Sequence, residues 1–330
     1  MEQENGFWPA IKDFFFRAGD FKGVSSRSQY WWLFLAQVLV GAVAGVLIVV
    51  MSTPIFAEPK SFGSQIAQSL LGLLGLGLSY LSFPQLSLTL RRFRDAGVSP
   101  WWYVVIVILG LAGPLLTVNG MGFLPIIILP IIAVLANLIV LLLPSREQEV
   151  KPFPAQPHAH STLGVSFGAA VKNLFLRGGD FTGTSSRSQY WWSVLFGVLI
   201  VVPTGLFIVL SLIAAFFGIA TSNVVKTDPQ NVLRILSSLG SGAFILLVLF
   251  LVIFYAWSML ALPMLTVSWR RFRDAGVNPW WLVAFYIVNS AVSAFQSSSP
   301  NFVLTLIPLI IWIVQIVILA LPPKNLGDEQ

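Results

Sequence analysis

The sequence predicts an all-α polytopic membrane protein: eight transmembrane helices as two parallel four-helix repeats, each repeat preceded by a short interfacial amphipathic helix. Three observations carry that expectation. Of 330 residues, 56% are hydrophobic and 10% charged, with a mean hydropathy of +0.84, whereas a soluble domain carries about 25% charged residues. Apolar runs near the length that a bilayer core demands, about 20 residues, recur along the whole chain. Two long blocks of sequence each occur twice.

The expected spans lie near 31–51, 66–90, 101–118, 123–143, 191–217, 239–269, 280–296 and 302–321, and these stretches hold no Asp, Glu, Lys, Arg or His. A short turn around Asn119-Gly120-Met121-Gly122 joins the third and fourth, and 296–301 joins the seventh and eighth, so both pairs read as helical hairpins. Mixed-charge residues precede the first run and no small-residue cleavage site follows it. The start therefore does not read as a cleavable signal, and the first span is expected to remain.

Basic residues set the orientation. One side receives Lys12, Arg17, Lys22, Arg27, Arg91, Arg92, Arg94, Arg146, Lys151, Lys172, Arg177, Arg187, Arg270, Arg271, Arg273 and Lys324. The other receives only Lys60, Lys226 and Arg234. The positive-inside rule places the richer side, with both termini, in the cytoplasm. Topology also accounts for the net charge of +6 and the pI near 9.8, so no nucleic-acid partner is expected. The pairs Trp31-Trp32, Trp101-Trp102, Trp191-Trp192 and Trp280-Trp281 all fall at the expected cytoplasmic ends of spans. Indoles favour the headgroup level, where the ring is apolar and its N–H stays wet.

Residues 17–32 read RAGDFKGVSSRSQYWW and residues 177–192 read RGGDFTGTSSRSQYWW. Residues 91–102 read RRFRDAGVSPWW and residues 270–281 read RRFRDAGVNPWW. The offset grows from 160 to 179, so the second copy carries 179 − 160 = 19 additional residues between the blocks. Their expected place is the outer loop near 218–238, where Asp228-Pro229 would cap a short helix ending before Gly240. An even number of spans per copy makes the repeats parallel. The boundaries follow: a first repeat at 1–144, a cytoplasmic linker at 145–162 and a second repeat at 163–330. The linker holds Pro152, Pro154, Pro157, His158 and His160; no third ligand accompanies the histidines, so no metal is expected there.

These blocks resemble the bacterial inner-membrane family catalogued as domain of unknown function 805. The resemblance rests on Gly23, Ser25 or Ser26, Arg27, Tyr30 and Trp31-Trp32, then on Arg91, Arg92, Asp95, Gly97 and Trp101-Trp102, and both elements recur in the second half. It implies a multi-pass protein of the bacterial cytoplasmic membrane, and it implies no chemistry. Single-copy members would correspond to half of this chain.

Much of the repeated sequence reads as helix punctuation. Ile11, Phe14, Phe15 and Ala18, and again Val171, Leu174, Phe175 and Gly178, lie at helical spacing, as in an amphipathic helix at the interface; docking a partner protein is the alternative. Gly19 and Gly179 are expected to end these helices in left-handed geometry, and Gly97 and Gly276 suit the ends of later ones. Ser25-Ser26 and Ser185-Ser186 are N-cap residues, and Ser99-Pro100 and Asn278-Pro279 join a cap to an N1 proline. Pro84 and Pro263 are expected to kink their spans alike, with Ser87, Thr89, Thr266 and Ser268 near the freed backbone groups. Gly41 and Gly45 form a small-xxx-small pair, and Gly72, Gly75 and Gly77 line the second span.

The charges are less easily absorbed. Asp95 and Asp274 fall at a helix C-terminus, where the dipole disfavours them, so each calls for a cationic partner. Arg27 and Arg187 are the natural candidates, and Arg92 shares a helical face with Asp95. Arg27, Arg91, Arg92, Arg94 and Asp95, with Arg187, Arg270, Arg271, Arg273 and Asp274, are thus the candidate cytoplasmic clusters. Three roles fit them: setting topology and tying helices, contacting an anionic lipid headgroup, or gating a substrate.

No cysteine exists in the chain, which removes disulfides, thiolate catalysis and thiolate metal sites together. No histidine, carboxylate pair or Ser/Lys arrangement falls within a span, so no enzyme, cofactor or metal is expected. Gln37, Gln68, Gln85, Asn137, Asn289 and Gln315 are the amides within the spans. They either bond helix to helix or line a path for an uncharged solute. The leading expectation is a non-enzymatic membrane module associated with lipids, including anionic headgroups, or with a membrane-protein partner. The alternative is a small-solute transporter or channel between the repeats.

Overall fold

The computed structural model describes residues 6–59, 61–116, 124–146, 164–221, 229–298 and 301–324. Among them every regular element is an α-helix. The first repeat contributes α1 (Phe7–Phe16), α2 (Arg27–Ala57), α3 (Phe62–Ser79), α4 (Ser82–Asp95), α5 (Trp101–Leu116) and α6 (Leu124–Leu142). The second contributes α7 (Phe167–Leu176), α8 (Arg187–Thr221), α9 (Pro229–Asp274), α10 (Trp280–Ser298) and α11 (Phe302–Ala320). Residues 147–163, including His158 and His160, lie outside the described residues, as do Lys60 and Lys226.

Among the described residues, five helical stretches are long and apolar enough to cross a membrane: Arg27–Ala57, Phe62–Asp95 (α3 with α4), Arg187–Ser211, Val252–Asp274 and Phe302–Ala320. Their lipid-like exterior makes the chain a membrane protein. α5 and α6 supply shorter apolar stretches, Trp101–Gly113 and Ile127–Leu142. α10 has 19 residues, but Asn289, Ser290, Ser293 and Gln296 lower its hydropathy.

Local chemistry explains the helix ends. Ser26 caps α2 in a full capping box, its hydroxyl accepting from the Gln29 N–H while the Gln29 side chain accepts from the Ser26 N–H, and Ser186 accepts from the Gln189 N–H. α4 and α9 both close in a Schellman motif. Gly97 and Gly276 adopt φ of 73° and 72°, and Val98 and Val277 donate to the carbonyls of Phe93 and Phe272 at 2.9 Å.

Four expectations change. Gly19 and Gly179 do not take left-handed geometry. They are glycines because the repeats touch there: a Cβ on Gly19 would overlap the Leu176 carbonyl, and one on Gly179 the Phe15 carbonyl. The prolines act differently in the two copies, with an interruption at Tyr80–Leu81 before Pro84 and a helix that runs through Pro263. α9 starts at Pro229 and continues through Gly240, so no separate short helix forms in the longer loop of the second copy. Gly41 and Gly45 meet nothing within 4 Å because they lie on the outward face of α2; Gly72, against the Ser290 hydroxyl at 3.2 Å, is the glycine that admits a neighbour.

Helices from the two halves of the chain pack on each other. α3 packs on α10 while their counterparts α9 and α5 pack on each other, and α4 packs on α9. Each repeat has its own apolar core: Phe14, Tyr30, Leu33, Leu88 and Phe93 in the first, and Leu174, Tyr190, Val267, Phe272 and Leu282 in the second. A third cluster of Ala18, Phe83 and Leu262, flanked by Phe15, Phe21, Phe175 and Phe181, joins them. Ser290 donates to the Ser69 carbonyl at 2.8 Å across the same boundary.

Candidate functional site

The repeated Arg-Arg-Phe-Arg-Asp run ends α4 and α9. Its first two arginines, Arg91 and Arg92 in one copy and Arg270 and Arg271 in the other, are all 0% exposed. Burying four guanidinium groups is costly unless each is paired and hydrogen-bonded, so their partners define what the motif does.

The second arginine closes the bundle. Arg92 donates through Nε and Nη2 to the Leu141 carbonyl at 3.3 and 3.2 Å, and through Nη2 to the Leu143 carbonyl. Arg271 does the same to Leu319, at 2.9 Å through Nε, and to Leu321. These carbonyls end α6 and α11, where a helix leaves acceptors without intrahelical donors. Nη1 of each arginine donates to the carboxylate three residues on, Asp95 or Asp274. The backbone carbonyl of that aspartate accepts the N–H of Arg146 or Lys324 at 2.8 Å, and Ser145 donates to Asp95 Oδ2 at 2.5 Å. Each Arg–Asp pair therefore holds the last helix of its repeat, and the chain leaving it, against the second span.

The first arginine holds the amphipathic helix and its turn. Arg17 bonds Asp20 Oδ2 at 2.6 and 3.1 Å, and Arg177 bonds Asp180 Oδ2 at 2.8 and 3.0 Å. The other carboxylate oxygen accepts backbone N–H groups, from Lys22 and Gly23 in one copy and Thr182 in the other. A Cβ on Gly23 would overlap Asp20, which explains the motif glycine. Burial pushes the Asp20 carboxyl up, but the bonds from Arg17 and the Gly23 N–H, with the charges of Arg17 and Arg91, hold it below its ordinary value. Asp180 is held low in the same way, burial being outweighed by Thr182 and Arg177. Above this turn Arg270 Nη1 donates to the carbonyls of Arg177 and Asp180 at 2.9 and 3.0 Å, whereas Arg91 Nη1 donates to Asp13 Oδ2 at 3.1 Å. Ser87 spends its hydroxyl on the turn as well, on the Asp20 carbonyl at 2.9 Å, whereas Thr266 donates to the Pro263 carbonyl of its own helix at 2.9 Å, with the Arg177 and Gly178 carbonyls farther off at 3.4 Å.

Thus the structure brings Asp95 to Arg92 and Asp274 to Arg271, while Arg27 and Arg187, the natural partners by sequence, are exposed at the starts of α2 and α8. Arg94 is half-buried within electrostatic reach of Asp20. Arg273 is exposed and donates to the Phe181 carbonyl at 2.9 Å. Trp101, Trp102, Trp280 and Trp281 are all more than half exposed, at 76, 57, 65 and 56%; Trp32, Trp191 and Trp192 are less so and Trp31 is half-buried. Asp20 and Asp180 were legible in the repeated Arg-x-Gly-Asp stretch. Asp13 was not, because Asn173 stands at its place in the second copy.

A second feature lies between the repeats. A cleft of about 430 Å³ is lined by Gln68, Gly72, Tyr286, Asn289, Ser290 and Ser293 among others. The Asn289 side-chain oxygen is buried there and has no hydrogen-bond partner among the described residues. By contrast Gln37 bonds Gln85 at 2.5 Å and serves to join α2 to α4.

Two stretches, 18–152 and 179–329, each match the family model described as "Protein of unknown function (DUF805)". No curated protein and no solved structure matches the chain.

Proposed function

The chain belongs to the DUF805 family twice over, and from that premise we propose that it is a non-enzymatic integral protein of the bacterial cytoplasmic membrane that associates with anionic lipid or a membrane-protein partner. In this reading α2, α3 with α4, α5 and α6 span the bilayer, as do α8, α9, α10 and α11. Both termini are then cytoplasmic, and α1 and α7 lie in the interface. The positive-inside distribution and the tryptophan pairs support that layout.

The carrying observation is that the four deepest motif arginines are wholly enclosed and bonded to the protein itself. The motif is then the clasp of each bundle. Among the exposed basic groups, Arg27 and Arg187 lie beside Trp31-Trp32 and Trp191-Trp192 and are the ones assigned to headgroups. Native mass spectrometry of the chain released from phosphatidylglycerol-containing nanodiscs tests this. Arg27→Gln with Arg187→Gln is expected to lower retained anionic lipid several-fold; unchanged retention removes the lipid half of the proposal and leaves the protein partner.

The inter-repeat cleft favours a second reading, a path for a small uncharged solute. Its volume lies within the range of ligand sites, about 300–1,000 Å³, and its polar lining is amide and hydroxyl without charge. Solute flux into proteoliposomes that Asn289→Leu and Gln68→Leu both abolish would establish that reading; flux indifferent to both would end it.

A further inference from the structure

Ala18 and Gly178 hold the same place in the two copies, as do Phe83 and Leu262, at the offsets 160 and 179 that separate the two motif blocks. At this contact the two sides carry different sizes. Where the first repeat presents Phe83, the second presents Gly178, and a Cβ on Gly178 would overlap Phe83 Cε1 and sit 3.0 Å from Cζ. Where the second repeat presents the smaller Leu262, the first presents Ala18, whose methyl is 0% exposed in the same buried cluster. Phe83 has no room to step aside. It is 1% exposed, with the rings of Phe21 and Phe175 at 5.6 and 6.0 Å.

We infer that the two repeats are a fitted heterotypic couple, in which Gly178 receives Phe83 and Ala18 receives Leu262, so that a first repeat accepts a second repeat and rejects its own kind. Two first repeats would set Ala against Phe on both sides and overlap. Two second repeats would set Gly against Leu on both sides and leave voids, each a recognised cost. Specificity of this sort comes from building the clash into the wrong pairing. Gly19 and Gly179 keep the approach close in every pairing; the four paired residues decide which pairing fits. Between chains, the surface therefore admits only a swap that mates one chain's first repeat with another's second.

The full-length protein can be made to imitate each pairing, with the unfolding midpoint in nanodiscs as the readout. Gly178→Ala with Leu262→Phe imitates two first repeats and is expected to lower the midpoint by about 10 °C. Ala18→Gly with Phe83→Leu imitates two second repeats and is expected to lower it by about 5 °C. All four substitutions together invert the couple and should return the midpoint to within about 3 °C of the starting protein. Because the chain has no cysteine, Ser69→Cys with Ser290→Cys adds a second readout at the 2.8 Å contact between α3 and α10. That disulfide should form in the parent and in the fourfold variant, and be depleted in the first imitation even if that protein misfolds. A fourfold variant as unstable as the sum of the two pairs, or a first imitation with unchanged midpoint and cross-link, overturns the inference.

Discussion

The two repeats hold their amphipathic helices with the same arginine and different acceptors. In the first, Arg91 reaches the Asp13 carboxylate at 3.1 Å, and Asp13 also accepts from Arg17 at 3.2 Å. In the second, Asn173 replaces Asp13, and Arg270 turns to the Arg177 and Asp180 carbonyls and to the Ser185 hydroxyl at 3.0 Å. The Ser25 hydroxyl and Arg91 Nε are correspondingly without a hydrogen-bond partner among the described residues. What both copies keep is a buried guanidinium above the Arg-x-Gly-Asp turn; which oxygens satisfy it has drifted. The second arginine shows no drift: its carboxylate partner lies three residues on in the same repeated run, and its other acceptors are helix-terminal carbonyls that exist whatever the side chains are.

That contrast makes graded predictions. Arg92→Ala and Arg271→Ala should be the most damaging and equally so, each by about 3–5 kcal/mol, since each removes a buried charged donor that ties a carboxylate to a helix end. Chemical unfolding in mixed micelles reads this, and clear inequality between them would break the claim that the clasp is the same in both copies. Asp13→Asn should cost about 1–3 kcal/mol by removing the charged acceptor of a buried donor. Asn173→Asp should cost nothing or stabilise; if both changes behave alike, the copies do not differ as described. Gln85→Met should cost about 1 kcal/mol by orphaning Gln37, the scale of hydrogen bonds between membrane helices. Adding Gln37→Gly should recover that loss, because the second copy already pairs Gly197 with Met264.

Acid should have the smallest effect, and the same one in both copies. Asp20 and Asp180 sit below their ordinary values when folded, so they stabilise fully above the unfolded value of about 3.9. That contribution is lost only as pH falls through the lowered folded value. Unfolding midpoints flat from about pH 8 to 5 and falling below about pH 4 are expected; a fall centred near pH 6 would point to a group outside these turns.

Helices and duplication were legible because apolar runs, caps and close repetition can be read from the sequence itself. Ser26, Gly97, Gly276 and Asn278 do at their places what their chemistry requires. The clasp was half legible. Arg92 beside Asp95 follows from helical spacing, but the Leu141 and Leu143 carbonyls carry no side-chain signal and come from a helix distant in sequence. Gly19 and Gly179 were misread for the same reason: a glycine needed for close approach of two backbones looks like one needed for a turn. The arginines near Trp101 and Trp280 suggested headgroup contact because their charge is visible in sequence and their burial is not.

The central claim is that Arg91, Arg92, Arg270 and Arg271 serve the protein's own fold. A cryo-EM map of the chain in nanodiscs containing phosphatidylglycerol tests it most directly. The prediction is four guanidinium groups bonded to the Asp13, Leu141, Asp180 and Leu319 oxygens already described, with no phosphate density within hydrogen-bonding distance of any of them. Ordered phosphate against any one of the four would contradict it and return the motif to the lipid.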